Sequence, residues 1–134
     1  MDEQDKRIQN ILGKDCKRNR QNACRYFEYL KEAIKSPCLL SGIEDFPWEE
    51  RYVLGGWDQK EYEELKKVNP SYTDEYKLIE LLEPASGGDE IIAKVKRLSD
   101  QKVFKIGLSW LECIDSEKEN YQLIDDYSVW HVNY

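Results

Sequence analysis

Residues 91–108, which read IIAKVKRLSDQKVFKIGL, carry the clearest strand pattern in the chain. Ile91, Ala93 and Val95 fall on one face of an extended chain, because successive side chains of a strand point to opposite faces. The alternation of side chains continues after a polar turn at residues 99–102. This stretch therefore predicts a β-hairpin with a short loop.

Helical patterns precede the hairpin. In residues 22–35 the apolar positions recur at spacings of three and four, which predicts an amphipathic helix that ends before Pro37. A second, shorter helix is predicted at residues 59–67, with Asp58 as its N-cap. Residues 1–20 are mostly polar, and we expect either a short helix or a flexible extension there.

Further short strands are predicted around the hairpin, at residues 52–56, 76–82 and 121–134, with another sheet edge near residues 109–114. Early helices followed by a run of short strands indicate an α+β fold. The sequence thus predicts one domain over residues 1–134, with the helices packed on a small, strongly bent antiparallel sheet or barrel.

Charge is distributed unevenly along the chain. The net charge is −7, but residues 41–90 carry −9 and residues 1–40 carry +3. An acidic protein does not attract nucleic acid through its phosphates, so we expect no nucleic-acid partner. No apolar run approaches the ~20 residues of a membrane span, and the charged N-terminus does not resemble a signal peptide. We therefore expect a cytoplasmic protein without a membrane partner.

The residues that most often perform catalysis or bind zinc are few. Cys16, Cys24, Cys38 and Cys113 include no Cys-x-x-Cys pair, and His131 is the single histidine. These counts disfavour a zinc site and favour free thiols. No phosphate-binding loop is present. We expect a monomer that is not an enzyme.

Residues 42–52 read GIEDFPWEERY and concentrate acidic side chains around a stiff centre. Pro47 fixes its own φ and pushes the preceding residue toward extended geometry. The four carboxylates cannot splay apart, so they repel one another unless a cation or a basic partner lies among them. Calcium binds about 6–8 oxygen ligands and suits such a cluster. The alternative is a solvated acidic turn over buried aromatics. The four acids are Glu44, Asp45, Glu49 and Glu50.

A second acidic pair, Asp125 and Asp126, stands directly before Tyr127 and Trp130 of the predicted final strand. At a strand edge this pair could complete an oxygen site built on the first cluster. A polar turn is the alternative. No window of the sequence matches the EF-hand loop, so a calcium site would have to be assembled from separated segments.

Four blocks of the sequence carry a family resemblance. They are SGIEDFPWEERYVLG at 41–55, NPSYTD at 69–74, KVKRLSD at 94–100 and YQLIDDYSVW at 121–130. Together they resemble the cyanobacterial calcium-binding protein family of the CcbP type, over about residues 38–134. The combination of blocks is specific, whereas no single block would suffice.

The resemblance implies an α+β fold with an SH3-like bent sheet, and reversible cytoplasmic calcium binding by acidic residues, as a buffer or a sensor. Carried onto matching positions, it makes Asp45 the first candidate ligand. Its block also holds Glu44, Glu49 and Glu50, and the last block holds Asp125 and Asp126. The implied cofactor and partner is Ca²⁺. The alternative function is an SH3-like interaction module whose acidic face meets a basic protein without metal.

Overall fold

The computed structural model describes residues 2–115 and 119–134. In this part of the chain the helices are α1 (Glu3–Leu12), α2 (Arg20–Ala33), α3 (Glu50–Val53), α4 (Gln59–Lys66) and α5 (Glu119–Asn133). The strands are β1 (Leu39–Gly42), β2 (Tyr76–Leu82), β3 (Ile92–Arg97), β4 (Val103–Gly107) and β5 (Leu111–Cys113). Single 3₁₀ turns at Pro47–Glu49 and Leu108–Trp110 lead into α3 and β5.

The strands form one antiparallel sheet in the order β4-β3-β2-β1-β5. The predicted hairpin is confirmed as β3 and β4, with Val95 opposite Phe104. The predictions of a strand at 76–82 and of an edge near 109–114 are confirmed as β2 and β5. The α+β class is therefore correct. The sheet is open, with β4 and β5 as its edges, and does not close into a barrel.

Both predicted helices form close to their expected bounds. The Asn19 side chain caps α2 by accepting a hydrogen bond from the backbone N–H of Asn22. The Asp58 carboxylate caps α4 by accepting from the N–H groups of Lys60 and Glu61, as predicted. Residues 3–12, where the sequence allows either a short helix or a flexible extension, form the helix α1.

Two strand predictions are wrong. The predicted strand at residues 121–134 is instead the helix α5 up to Asn133, because the residues that it buries, such as Ile124, Tyr127 and Trp130, recur at spacings of three and four. Residues 50–53 form the helical turn α3 instead of starting a strand at residue 52. Pro47 explains this second difference, since its fixed φ suits the first position of a helical turn.

The core lies between the sheet and three helices, α1, α2 and α5. Tyr26 of α2 contacts Tyr127 and Trp130 of α5, with ring centroids 5.3 and 5.4 Å away. The Trp130 indole N–H donates to the carbonyl of Cys16 at 2.7 Å, so the buried ring leaves no polar group unpaired. The connection between β1 and β2 carries residues 44–50 together with α3 and α4, and it contributes the buried ring of Phe46 to the core.

Candidate functional site

The acidic turn, residues 44–50, is held at its start by two neighbouring segments. The Gly42 N–H donates to the carbonyl of Tyr72 at 3.0 Å, and the Ile43 N–H donates to the carbonyl of Trp110 at 3.0 Å. A Cβ atom on Gly42 would lie 2.5 Å from the Cβ atom of Tyr72, so no side chain fits there. This close approach fixes the point at which the turn leaves β1.

The aromatic centre of the turn is packed on both sides. Phe46 is extended, with φ −73° and ψ 156°, as its position before Pro47 predicts. Its ring meets the ring of Trp110 edge to face at 6.3 Å. The Trp48 indole N–H donates to the carbonyl of Pro70 at 2.7 Å. The turn is therefore anchored to the segments that contain Trp110 and Pro70.

Glu49 is fully buried, with none of its surface exposed. One oxygen accepts hydrogen bonds from the hydroxyls of Tyr62 and Ser71, each at 2.7 Å. The other accepts from the N–H of Tyr72 at 2.8 Å and from that of Phe46 at 3.4 Å. Four donors thus stabilise the buried carboxylate, and Glu49 connects the turn to α4 and to the segment before β2.

The other three acids of the turn face outward. Glu44 and Glu50 are exposed and Asp45 is partly exposed. None of the three carboxylates has a hydrogen bond or an ion pair with another described residue. Neighbouring acids therefore have opposite environments, because Glu49 bonds only to the protein interior whereas Glu50 faces solvent.

The second predicted pair lies on α5 and contacts α1. The Arg7 guanidinium binds Asp126 through both carboxylate oxygens, at 2.7 and 3.0 Å. This hydrogen bonding raises the pKa of Arg7. The Gln4 amide donates to Asp126 at 2.9 Å and to the exposed Asp125 at 3.3 Å. Asp126 is 3% exposed and joins two helices.

The two predicted clusters therefore bond to different parts of the fold. The contacts of the acidic turn go to Pro70, Tyr72 and Trp110, while those of Asp125 and Asp126 go to α1. Within residues 2–115 and 119–134, no three His, Cys, Asp or Glu side chains are grouped so that they could hold one metal ion. Over the same residues, no helix is long and apolar enough to cross a membrane.

A third acidic group was missed by the sequence reasoning. Asp89 and Glu90, directly before β3, lie 3.3 and 3.4 Å from the His131 Nε2 atom. Arg18 forms an ion pair with Asp89 at 3.2 Å, and Tyr127 donates to Glu90. The sequence carries no local signal for this group, since its members come from three distant segments.

Neither a protein-family model nor a curated protein matches the chain. Two solved structures are similar to it. Anabaena CcbP is 15% identical, with a TM-score of 0.61, over 98% of this chain and 92% of that one. A calcium-binding protein in its calcium-binding form is 18% identical, with a TM-score of 0.55, over 96% of this chain and 89% of that one. At these identities the likeness shows that the chain has a CcbP-like fold.

Proposed function

We propose that this protein binds Ca²⁺ reversibly without an EF-hand, as a cytoplasmic buffer or sensor. The acidic turn supplies the first ligands, and Asp45 is the first candidate among them. The main support for this proposal is the similarity of nearly the whole fold to two solved proteins, one of which is described in a calcium-binding form. The acidic connection between β1 and β2 supports this proposal independently of that likeness.

The chemistry of the turn fits a hard cation. Glu44, Asp45 and Glu50 bring three carboxylates into seven residues, and none of them is neutralised by a described residue. Calcium takes about 6–8 oxygens, and backbone carbonyls and water can supply those that side chains do not. A bound ion would neutralise carboxylates that lie within seven residues of one another in the sequence, and ligation would require these side chains to turn toward a common point.

Glu49 and Asp126 have a different role in this proposal. Calcium could reach Glu49 only by displacing its four donors, and Asp126 only by displacing Arg7. We therefore regard both as positioning residues that hold the turn and α5 in place. Asp125 is exposed and stays a secondary candidate ligand.

Isothermal titration calorimetry tests the proposal. Protein stripped of metal with a chelator is titrated with CaCl₂ and, separately, with MgCl₂. We expect saturable binding of calcium and much weaker binding of magnesium, because magnesium requires tight octahedral geometry and keeps its water. Asp45→Asn preserves the shape of the side chain and removes its charge, so calcium affinity should fall at least about tenfold.

The matched control is Glu32→Gln, which removes one exposed carboxylate from α2, far from the turn in sequence. Its calcium affinity should equal that of the wild type. Absence of calcium binding at millimolar concentration would contradict the proposal. Equal losses in Asp45→Asn and Glu32→Gln would show that calcium responds to net charge and not to this turn.

A specific observation also favours an acidic interaction module without metal. Leu54 and Trp57, which follow the acidic turn, are 74% and 56% exposed. They lie within residues 43–64, where the net charge is −6. A basic partner with apolar side chains would match this segment. Binding of a lysine-rich peptide by protein that gives no heat with calcium would favour this second function.

A further inference from the structure

Four lysines lie together on the solvent side of the sheet. Lys94 and Lys96 of β3 alternate with the buried residues Ala93 and Val95, so they point away from the core. Lys77 of β2 pairs directly with Lys96, and Lys105 of β4 pairs directly with Lys94. Directly paired residues share a face, so the four side chains form one surface, which we call the lysine face.

This arrangement is electrostatically unfavourable for the isolated protein. Like charges directly opposite each other on neighbouring strands destabilise a sheet, and the lysine face contains two such pairs. None of the four lysines has a hydrogen bond or an ion pair with a described residue. Glu80 stands opposite Lys94 in the register, yet it forms no ion pair with it either.

Protection of the sheet edge does not account for the lysines. Lysines on an edge strand discourage pairing with other chains, which would explain Lys105 on β4. Lys77, Lys94 and Lys96 lie on β2 and β3, which have partners on both sides. Edge protection therefore does not explain these three lysines, and in a chain of net charge −7 they form a local basic surface.

Apolar surface adjoins the lysines. Val103 pairs with Lys96 and is exposed, and Ile79 is exposed beside Lys77. An open depression of about 560 Å³ lies at this end of the face. Its lining is Ser36, Pro37, Lys77, Leu78, Ile79 and Lys96. The surface thus offers ammonium groups together with room for one or two aliphatic side chains.

We propose that the lysine face binds an extended acidic protein segment with carboxylates at alternate positions and an aliphatic side chain between them. Lys94 and Lys96 are two residues apart on one strand, which is about 6.7 Å, and an extended peptide repeats its alternate side chains at the same distance. The aliphatic side chain enters the depression beside Lys77. This interaction does not depend on calcium binding.

The alternative polyanions fit the surface less well. The solvent-facing side chains paired across β2, β3 and β4 include no aromatic ring on which a base could stack, and the ring of Phe104 lies on the other side, over buried Arg97. A nucleic acid or an anionic membrane would also extend beyond the Debye length of about 8 Å and meet the acidic remainder of the protein. A short peptide meets mainly the lysines.

Fluorescence anisotropy with the wild-type chain tests the proposal. The probe is a labelled nonapeptide with glutamate at alternate positions and one central leucine, and its control carries glutamine in place of each glutamate. We expect binding of the acidic peptide that weakens with added salt, and no binding of the glutamine peptide. Lys94→Glu/Lys96→Glu should lower the affinity at least about tenfold.

The matched control is Lys14→Glu/Lys60→Glu, which makes the same charge change at exposed lysines outside the sheet. It should change the affinity less than about threefold. Lys96→Glu places a carboxylate opposite Lys77, and Lys94→Glu places one between Lys105 and Glu80, so attraction and repulsion offset each other and the face variant should melt close to the wild type. If it does unfold, Lys94→Gln/Lys96→Gln replaces it in the same measurement.

Four results would overturn the proposal. The first is no binding of the acidic peptide at millimolar concentration. The second is an equal loss of affinity in the face variant and the control variant. The third is tighter binding of a thymidine dodecamer, or of vesicles rich in phosphatidylserine, than of the peptide, which would assign the face to nucleic acid or membrane. Self-association of the chain that the face variant abolishes would likewise replace the peptide with a second copy.

Discussion

The hydroxyl of Tyr62 donates a 2.7 Å hydrogen bond to the buried carboxylate of Glu49, and this contact joins α4 to the acidic turn. Tyr62 also stacks on Tyr52 of α3, with ring centroids 5.1 Å apart and an interplanar angle of 4°. Burial, together with the hydrogen bond to Glu49, raises the pKa of Tyr62. The hydrogen bond from Tyr62 to Glu49 and the stacking of Tyr62 on Tyr52 therefore join the turn, α3 and α4 into one packed unit.

Glu49→Ala should lower the free energy of unfolding by about 3 kcal/mol, because it leaves the hydroxyls of Tyr62 and Ser71 and the N–H of Tyr72 without their acceptor. Urea denaturation measures this change. Glu50→Ala removes the exposed neighbour and should alter the free energy by no more than about 0.5 kcal/mol. Similar losses in both variants would mean that the hydrogen bonds of Glu49 add little stability.

Asp126→Asn should lower the free energy of unfolding by about 2 kcal/mol, since it weakens two charged hydrogen bonds from Arg7. A double-mutant cycle with Arg7→Ala should give a clear coupling energy, because the two side chains contact each other directly. Calcium affinity of Asp126→Asn should be unchanged. Additive losses in stability, or a loss of calcium affinity, would contradict this assignment.

Asp100 should make the stability of the hairpin dependent on pH below about 4. Its hydrogen bonds with Arg97, which is 3% exposed, lower the pKa of Asp100 to about 2. The unfolded-state pKa is about 3.9, so the contribution is fully present above that pH and is lost as the pH falls through about 2. Asp100→Asn should therefore be less stable than the wild type at pH 7, and this difference should shrink between pH 4 and pH 2 in urea denaturation. A difference that is constant over this range would disprove the linkage.

Amide hydrogen exchange should locate the calcium site. Calcium should slow exchange at residues 42–52, because a bound ion suppresses local opening of the turn that supplies its ligands. Exchange at residues 121–130 of α5 should change little, since the partners of Asp126 are on α1. Equal protection of both segments would place Asp125 in the same site as Asp45.

Short-range patterns determined much of this fold. The alternation in residues 91–108 specified the hairpin of β3 and β4, and the spacing of apolar residues specified α2. Pro47 specified the extended conformation of Phe46. These predictions succeeded because strand alternation, helical period and proline geometry each depend on residues close together in sequence. The strand prediction for residues 121–134 failed because two periods compete there. Val132 and Tyr134 suggest strand alternation, whereas Ile124, Tyr127 and Trp130 follow the helical period.

The local sequence is enough to predict an acidic turn at residues 44–50 around a stiff Phe46-Pro47-Trp48 centre, but the tertiary contacts set which of its carboxylates is available to a ligand. Glu49 and Glu50 are chemically the same and adjacent, yet the donors that bury Glu49 come from Tyr62, Ser71 and Tyr72. The partner of Asp126 is Arg7, near the other end of the chain. Whether a carboxylate is buried or exposed depends on the groups that folding places around it. Those groups are distant in sequence, so no local sequence pattern identifies them.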